Sequence, residues 1–269
     1  MLNLNLNILG ASNRPIVPIQ PAPAPTTTTT TSTTSTTTTT TAGKYIPTTG
    51  LIQYLDATLT ASYNGTGSTW FDLSGGGNDV SASFGSTFPT FATNQFNFNG
   101  TSDVLGTFLT GSITDFSAFA WVRLGTLTPA GSSDAEGVYG LSTNVNQANT
   151  KFDSLVFTET VQSKWEIATE NNNRDVLSPD AETSLDYLFI GMTSTAGSVK
   201  LWRNAVVLNS AVRSPITYTQ PLLPIGQRYR STTNGWQSNG YLTGSVSMCL
   251  LYNRVLTDTE ITNLYTQGR

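Results

Sequence analysis

A run of sixteen residues, 26–41, consists of fourteen Thr and two Ser and divides the 269-residue chain into two unequal parts. Because the run has no apolar periodicity, it cannot bury a face, and it has no core of its own to offset the entropy lost on ordering. Thr is β-branched and restricted at χ1, which favours extended backbone over helix. Two interpretations stay open, a solvated spacer or a stalk in which several copies of the chain pair.

The residues before this run form two segments of different character. In residues 1–14 apolar and Asn residues alternate with the period of a half-buried strand, which is stable only when it joins the edge of another sheet. We expect an anchor peptide there that docks the apolar side chains Leu2, Leu4, Leu6 and Ile8. A frayed terminus is the alternative. Five prolines follow between residues 15 and 25, so residues 15–43 are expected to be an extended Pro/Thr-rich stalk or linker. Residues 44–269 are the expected folded head.

Composition excludes several classes of function. Only 11% of residues are charged, well below the roughly 25% of ordinary soluble domains. With a net charge of −4 and no basic block, the chain lacks the footprint of a nucleic-acid-binding protein. It has no His, which rules out Ser-His-Asp catalysis and His-ligated zinc. Cys249 is the single Cys and is expected to be a small core residue.

The N-terminus lacks the positive and apolar regions of a Sec signal peptide, and no apolar run approaches the roughly 18 residues of a membrane span. We therefore expect neither Sec-dependent secretion nor membrane insertion.

The sequence of the head predicts many short strands separated by clusters of Gly, Asn, Ser, Thr or Pro, a pattern typical of a sandwich or barrel. The strand segments are 51–57, 69–73, 96–100, 116–123, 137–141, 154–158, 165–169, 187–193, 199–202 and 222–227. A single short helix is predicted at the C-terminus, where Thr257 and Glu260 have the spacing of a capping box. Its expected apolar face consists of Leu256, Ile261, Leu264 and Tyr265.

Three stretches of the head together resemble a known family. They are 50–57 with 69–78, 98–104 with 119–123, and 241–261. The last is the most specific, since a strand is followed by Tyr252-Asn253-Arg254, a Leu and a capped acidic turn. The head resembles the laminin-G-like branch of the concanavalin A-like lectin/glucanase jelly rolls, in particular the copies carried by tailed-phage virion proteins behind Thr-rich or Pro-rich leaders.

This resemblance implies an all-β fold, a two-sheet antiparallel jelly-roll sandwich with one short C-terminal helix and an extended N-terminal arm. It also assigns structural roles to individual residues. Phe119 and Trp121 should fill the core, Trp70 should close one end of the sandwich, and Asn253-Arg254 should turn the chain towards the helix.

We expect no catalytic residues. The glucanases of this fold carry paired carboxylates on one strand in the pattern Glu-x-Asp-x-x-Glu, whose alternation places the first two acids on the same face, with acid and nucleophile on opposite sides of the glycosidic bond. The nearest acids, Glu166 and Glu170, lie four apart with no Asp between them. A glycoside hydrolase is therefore the less favoured alternative, and it would depend on these two residues.

Calcium is the one cofactor left open. Many members of the resembled superfamily hold it with loop carboxylates; the available loop-edge acids are Asp72, Asp79, Asp103 and Asp56, and the first three are the candidate ligands. The alternative is that these Asp residues stabilise turns rich in Gly and Asn.

An aromatic and polar segment, residues 228–239, is the predicted contact surface for a glycan or a partner protein. A Trp between Gly and Gln in a polar loop is suited to stacking on a sugar. The candidate residues are Trp236, Tyr229, Arg228, Arg230, Asn234 and Gln237. Two alternatives stay open: Trp236 folds back over a sheet edge, or the arginines contact an acidic neighbour in an assembly.

The layout of anchor, spacer and head predicts a structural protein of the virion surface, a head fibre or capsid decoration made in the host cytoplasm. Its anchor would bind the major capsid protein or another virion protein, and the lectin-like head would bind a cell-surface glycan. We expect a homo-oligomer, with a trimer favoured. The alternatives are a stand-alone carbohydrate-binding adhesin and a tail-fibre module.

Overall fold

The computed structural model describes residues 38–41, 43–82, 86–129, 135–143, 151–169, 176–232 and 235–269. The predicted anchor, residues 1–14, and most of the predicted stalk lie outside the described residues. The described elements in chain order are β1 (Thr38–Thr41), β2 (Lys44–Pro47), β3 (Leu51–Asp56), β4 (Thr69–Trp70), β5 (Val80–Ala82), β6 (Thr90–Ala92), β7 (Gln95–Asn99), β8 (Leu105–Phe108), β9 (Ser112–Ile113), β10 (Phe116–Leu124), β11 (Glu136–Ser142), β12 (Phe152–Phe157), β13 (Trp165–Thr169), β14 (Val176–Leu177), β15 (Leu188–Thr195), β16 (Ser198–Arg203), β17 (Val206–Ala211), β18 (Tyr218–Thr219), β19 (Leu222–Ile225), β20 (Gln227–Thr232), β21 (Gly235–Tyr241), β22 (Thr243–Tyr252) and α1 (Asp258–Gln267).

Two eight-stranded antiparallel sheets make up most of the head. Sheet I has the order β17-β16-β15-β10-β22-β7-β6, and β3 also pairs with β22. Sheet II has the order β14-β13-β12-β11-β19-β8-β5-β4. Neighbouring strands are often far apart in sequence, as in a sandwich whose chain crosses between sheets. The predicted all-β sandwich with one short C-terminal helix is confirmed.

Strand β22 is the centre of sheet I. One edge pairs with β10 along most of its ten residues, while the other edge is shared end to end by β7 and β3. Cys249 lies on this strand and is fully buried in the core between the sheets. The prediction that it is a small core residue is therefore confirmed.

Strand β10 separates two hydrophobic cores. Ala118, Ala120 and Val122 belong to the core between the sheets, whereas Phe119 and Trp121 belong to a second core with the residues of α1. This follows from the alternation of side chains along a strand. The expectation that Phe119 and Trp121 fill the core therefore needs a correction, because the core they fill lies on the other face of sheet I.

Gly191 of β15, which lies directly opposite Phe119, leaves space for the Phe119 ring in this second core. A Cβ on Gly191 would overlap the phenyl ring. Phe119 stacks on Phe189 with ring centroids 4.9 Å apart. The small residue thus allows two large rings to pack beneath the helix.

The C-terminal helix is fixed at its start by the predicted capping box. The Thr257 hydroxyl accepts the backbone N–H of Glu260 at 3.2 Å, and the Glu260 carboxylate accepts the N–H of Thr257 at 2.8 Å. Arg254 donates to both carboxylate oxygens of Glu260, at 2.6 and 2.9 Å. Ile261 and Leu264 are buried against sheet I. The predicted turn at Asn253-Arg254 and the predicted apolar face are confirmed.

Trp70 lies on β4, the last strand of sheet II, and is fully buried. Its ring centroid is 4.6 Å from that of Phe96 on sheet I. The indole therefore bridges the two sheets at this edge, as the resemblance implies.

The end of the Thr run pairs with the head. β1 forms an antiparallel hairpin with β2, joined through Gly43 at a positive φ of 84°. Ile46 of β2 is buried in the second core, and Lys44 forms an ion pair with Asp56 at 2.7 Å. Residues 36–269 form one compact unit. No helix among the described residues is long and apolar enough to cross a membrane.

Candidate functional site

The predicted contact surface, residues 228–239, is a β-hairpin and not a loop. Strands β20 and β21 pair antiparallel, with Arg230 opposite Gln237 and Ser231 opposite Trp236. The side chains of Tyr229, Arg230, Trp236 and Gln237, and the whole of Asn234, lie outside the described residues. Their proposed contacts with a glycan or partner stay a prediction.

The prediction for Arg228 is corrected by the structure. Its side chain is buried and is not available to bind a ligand at the surface. Its guanidinium forms an ion pair with Glu159, and the side chains of both residues are about 95% buried. A Cβ at Gly137 would overlap the backbone nitrogen of Arg228, so β20 crosses close over β11. Arg228 therefore holds the start of the hairpin on sheet II.

A buried carboxyl that the sequence did not reveal lies at the start of β11. Glu136, at the start of β11, is 2% exposed and accepts the backbone N–H of Thr243 at 3.2 Å. Burial raises the pKa of Glu136 to about 7, against the partial opposition of the hydrogen bonds from Thr243. This carboxyl therefore titrates near neutral pH.

The surroundings of Asp72 do not fit a calcium ligand. Its Oδ1 accepts the backbone N–H groups of Tyr54 and Ser74, each at 2.9 Å. Its Oδ2 accepts the Ser74 hydroxyl at 2.7 Å and the Asn78 N–H at 3.0 Å. Calcium requires converging oxygen ligands, whereas this carboxylate is surrounded by hydrogen-bond donors. Asp72 stabilises the glycine-rich turn, and Asp79 supports it by accepting the N–H of Asp72 at 2.8 Å.

The structure also does not bring Asp103 into a shared ligand set with Asp72 and Asp79. Asp103 accepts the hydroxyl of Thr87 at 2.5 Å and the backbone N–H of Asn99 at 3.0 Å. Among the described residues no group of three His, Cys, Asp or Glu could hold a metal ion. The predicted calcium site at Asp72, Asp79 and Asp103 is therefore corrected to two sets of turn-stabilising carboxylates.

Glu166, one of the two acids weighed for catalysis, has a structural role. It lies on β13 on the face opposite the core residues Trp165 and Ile167. Its carboxylate accepts the backbone N–H of Thr160 at 2.7 Å, the Thr160 hydroxyl at 2.7 Å and the N–H of Val161 at 3.2 Å. Glu170 lies outside the described residues.

A groove of about 610 Å³ opens where the ends of β13, β16 and β17 meet. A volume of this size falls within the range of ordinary small-molecule sites. Its walls combine apolar side chains with two hydroxyls, contributed by Val199, Ala211, Val212, Ile216, Thr169 and Ser214. No sequence motif had pointed to this groove, because its residues come from three strands and a connecting segment.

A buried ion pair borders the groove. Arg213 donates to both carboxylate oxygens of Asp153, at 2.6 and 2.7 Å, and to the hydroxyl of Ser194 at 2.5 Å. Burial raises the pKa of Asp153, and the adjacent guanidinium pulls it partly back down. Both side chains are at least 92% buried, so this polar floor of the groove is fixed in place.

Comparisons with known proteins find similarity in structure alone. No protein-family description matches the chain, and no curated protein matches it by sequence. A solved Trypanosoma rangeli sialidase in complex with sialic acid superposes with a TM-score of 0.59 at 15% identity, covering 83% of this chain and 34% of the sialidase. The binding domain of botulinum neurotoxin DC in complex with SialylT gives a TM-score of 0.54 at 13% identity, covering 82% of this chain and 52% of the toxin chain.

The chain thus spans about a third of the length of the sialidase and about half of the toxin chain that it matches. At these identities the likeness is one of fold. The chain is a sheet-rich antiparallel sandwich, as its two sheets and their strand order show.

Proposed function

We propose that the head is a carbohydrate-binding domain and that the groove between β13, β16 and β17 receives the sugar. The observation that carries this proposal is the groove itself, which places apolar walls and hydroxyls together above a fixed polar floor. Sugars present both C–H faces and hydroxyls, and therefore suit a site of mixed polarity with a few fixed polar groups.

Two further points support a glycan as the ligand. The chain has few charged residues, so its surface is rich in hydroxyl and amide groups that hydrogen-bond with sugars. The sialidase was solved in complex with sialic acid and the toxin domain in complex with SialylT, which is a property of those proteins. The hairpin β20–β21, with Trp236 and Tyr229, is the second proposed contact surface.

We propose further that the domain binds its ligand without catalysis and is displayed on a virion surface. The three donors to Glu166 support a structural role for that acid. The virion location rests on the sequence layout of anchor, Pro/Thr spacer and head, and on the resemblance to phage virion proteins. A stand-alone adhesin and a tail-fibre module are the alternatives, and a glycoside hydrolase is the least favoured.

The groove is tested with the chain on a glycan array, using two exposed valines as a matched pair. Val212 lies in the groove and is 83% exposed, while Val206 lies outside the residues that line it and is 63% exposed. Val212→Glu is expected to lower glycan binding at least tenfold, because it adds a charged side chain to the groove. Val206→Glu is expected to leave binding unchanged.

A Trp236→Ala variant distinguishes the two surfaces. Loss of binding in this variant, with binding intact in Val212→Glu, would move the site to the hairpin. Binding unaffected by all three changes would contradict both proposed surfaces.

The virion proposal is tested by deleting residues 1–14. Purified particles that still carry the head would contradict the proposed role of these residues as an anchor.

A further inference from the structure

Two guanidinium groups lie over one aromatic ring beside the C-terminal helix. The Arg269 guanidinium carbon is 3.9 Å from the centre of the Tyr187 ring, and that of Arg123 is 5.8 Å from it. Arg269 is also 5.1 Å from the ring of Trp121. Both arginines are exposed, whereas Tyr187 is half-buried and Trp121 is buried. This surface, defined by Arg123, Tyr187 and Arg269, is called the arginine patch.

Neither arginine of the patch has a carboxylate partner within 4.0 Å among the described residues. Four other described arginines are paired with acids: Arg203 with Glu182 at 2.7 Å, Arg213 with Asp153 at 2.6 Å, Arg254 with Glu260 at 2.6 Å, and Arg228 with Glu159. The contrast is notable in a chain whose net charge is −4. Two like charges near the same ring repel each other, and an anion between them would relieve that repulsion.

The ring that carries the arginines is held firmly. Tyr187 donates its hydroxyl to the side-chain oxygen of Gln95 at 2.5 Å. The Gln95 amide in turn donates to Asn97 on the same strand at 2.7 Å and to Ser245 on the neighbouring strand β22 at 3.1 Å. These hydrogen bonds hold the Tyr187 ring, over which the two guanidinium groups lie.

Stacking on a ring leaves a guanidinium free to bind an anion. The five N–H donors of Arg lie in the plane of the group, so a face-on contact with an aromatic ring does not consume them. A planar carboxylate matches this fork and accepts two parallel hydrogen bonds.

We infer that the arginine patch binds the carboxylate of an acidic sugar, such as a uronic or nonulosonic acid. The inference rests on the proposed carbohydrate-binding function and adds to it a second contact point with a defined charge. The groove at β17 would receive neutral parts of a glycan, while the patch selects for an acidic residue.

The side-chain Nε–Hε signals of the arginines in a ¹⁵N-labelled chain report on the patch directly. Glucuronic acid and N-acetylneuraminic acid are titrated at neutral pH, beside glucose and acetate at the same ionic strength. The two acidic sugars are expected to shift the signals of Arg123 and Arg269, and glucose is expected to leave them in place. Acetate binding as tightly as the acidic sugars would overturn the assignment to a sugar, leaving a general anion site.

Charge-matched variants separate this contact from a general electrostatic effect. Arg123→Gln and Arg269→Gln are each expected to weaken binding of the acidic sugars about tenfold or more, since a hydrogen-bonded charge pair is lost. Lys200→Gln is the control, because Lys200 also lies over an aromatic ring, that of Trp202 at 5.9 Å, and its loss removes one positive charge. Equal weakening by all three changes would contradict a specific site.

The outcomes distinguish this inference from the proposed function. If Val212→Glu abolishes acidic-sugar binding while the arginine signals never move, the inference fails and the groove proposal stands. If the arginine signals respond while Val212→Glu has no effect on any glycan, the patch stands and the groove assignment fails. If neither the arrays nor the titrations detect binding, both fail.

Discussion

Glu136 and Glu260 are the same side chain in opposite environments. Burial raises the pKa of Glu136 to about 7, while hydrogen bonds from Arg254 lower the pKa of Glu260 to about 2. Neither shift could be predicted from the sequence, because each depends on a neighbour or a covering strand that the fold supplies. Glu136 binds a proton more tightly in the folded state, whereas Glu260 releases its proton more easily there.

The raised pKa of Glu136 makes stability depend on pH. Between its ordinary value of 4.5 and about 7 the folded state holds more protons than the unfolded state, so the free energy of unfolding falls as pH rises. The fall in the free energy of unfolding across this window has an upper limit of about 3.5 kcal/mol, from about 1.4 kcal/mol per pH unit across about 2.5 pH units. Glu260 contributes no slope in this window, since its stabilising effect is lost only as pH falls from 4.5 towards 2.

Urea unfolding between pH 4.5 and 8 measures this slope. Asp153 also has a raised pKa and adds a slope of the same sign, so the difference between the native chain and Glu136→Gln is the diagnostic quantity. The variant carries a neutral side chain of the same shape at every pH and is expected to unfold with a shallower dependence on pH. Identical slopes in the two proteins would contradict a titrating Glu136.

At the scale of elements, the C-terminal helix depends on one carboxylate that serves both the cap and Arg254. Glu260→Ala removes the capping box and leaves Arg254 without its partner. We expect a loss of about 1–2 kcal/mol in the free energy of unfolding, as for other lost caps and exposed ion pairs. The helix packs on Trp121 and Phe189 through Tyr265, so fraying should also change the near-ultraviolet circular dichroism.

Asp258→Ala is the matched control for this helix. Asp258 is also an acid of the first turn, but its carboxylate takes no part in the capping box. It is expected to cost only a few tenths of a kcal/mol through the helix dipole. Equal losses in both variants would show that Glu260 acts through its charge alone.

Sequence periodicity predicted the strands that line the core. It did not predict the hairpin β20–β21, which packs outside the core. Strands β10, β13 and β15 were predicted because large apolar residues recur along them. The hairpin β20–β21 was predicted as a loop, since its flanks are polar and it lies against the outer side of sheet II. The dipeptide Asn234-Gly235 is a hairpin signal in the sequence, but the residues on either side of it show no apolar alternation.

Local sequence patterns also did not reveal the groove or the arginine patch. The groove gathers Thr169, Val199 and Ile216 from distant parts of the chain, and the arginine patch joins Arg123, Tyr187 and Arg269. These residues come from strands, from connecting segments and from the end of the chain after α1, so only the tertiary fold brings them together. The capping box of Thr257 and Glu260, by contrast, is local in sequence and was predicted correctly.

At the scale of the whole molecule, the compact unit begins inside the Thr run. Thr38–Thr41 pair with β2, and the unit starts at Thr36, so a head cut at residue 43 would lack one strand of the hairpin. The division of the chain at residue 43 stays a prediction. A chain beginning at Thr36 is the better test of whether the preceding residues assemble several copies.

Light scattering of the chain that begins at Thr36, beside the full chain, measures whether residues 1–35 assemble several copies. A trimer of the full chain and a monomer of residues 36–269 are expected, because the alternating leader and Thr run are the segments proposed to associate. Two monomers would mean that the run is only a tether. Two oligomers would place the contact in the head, where β17 is an edge strand with exposed Val206 and Val207. Replacing both valines with Lys should then dissociate the head, whereas it should leave a leader-driven trimer intact.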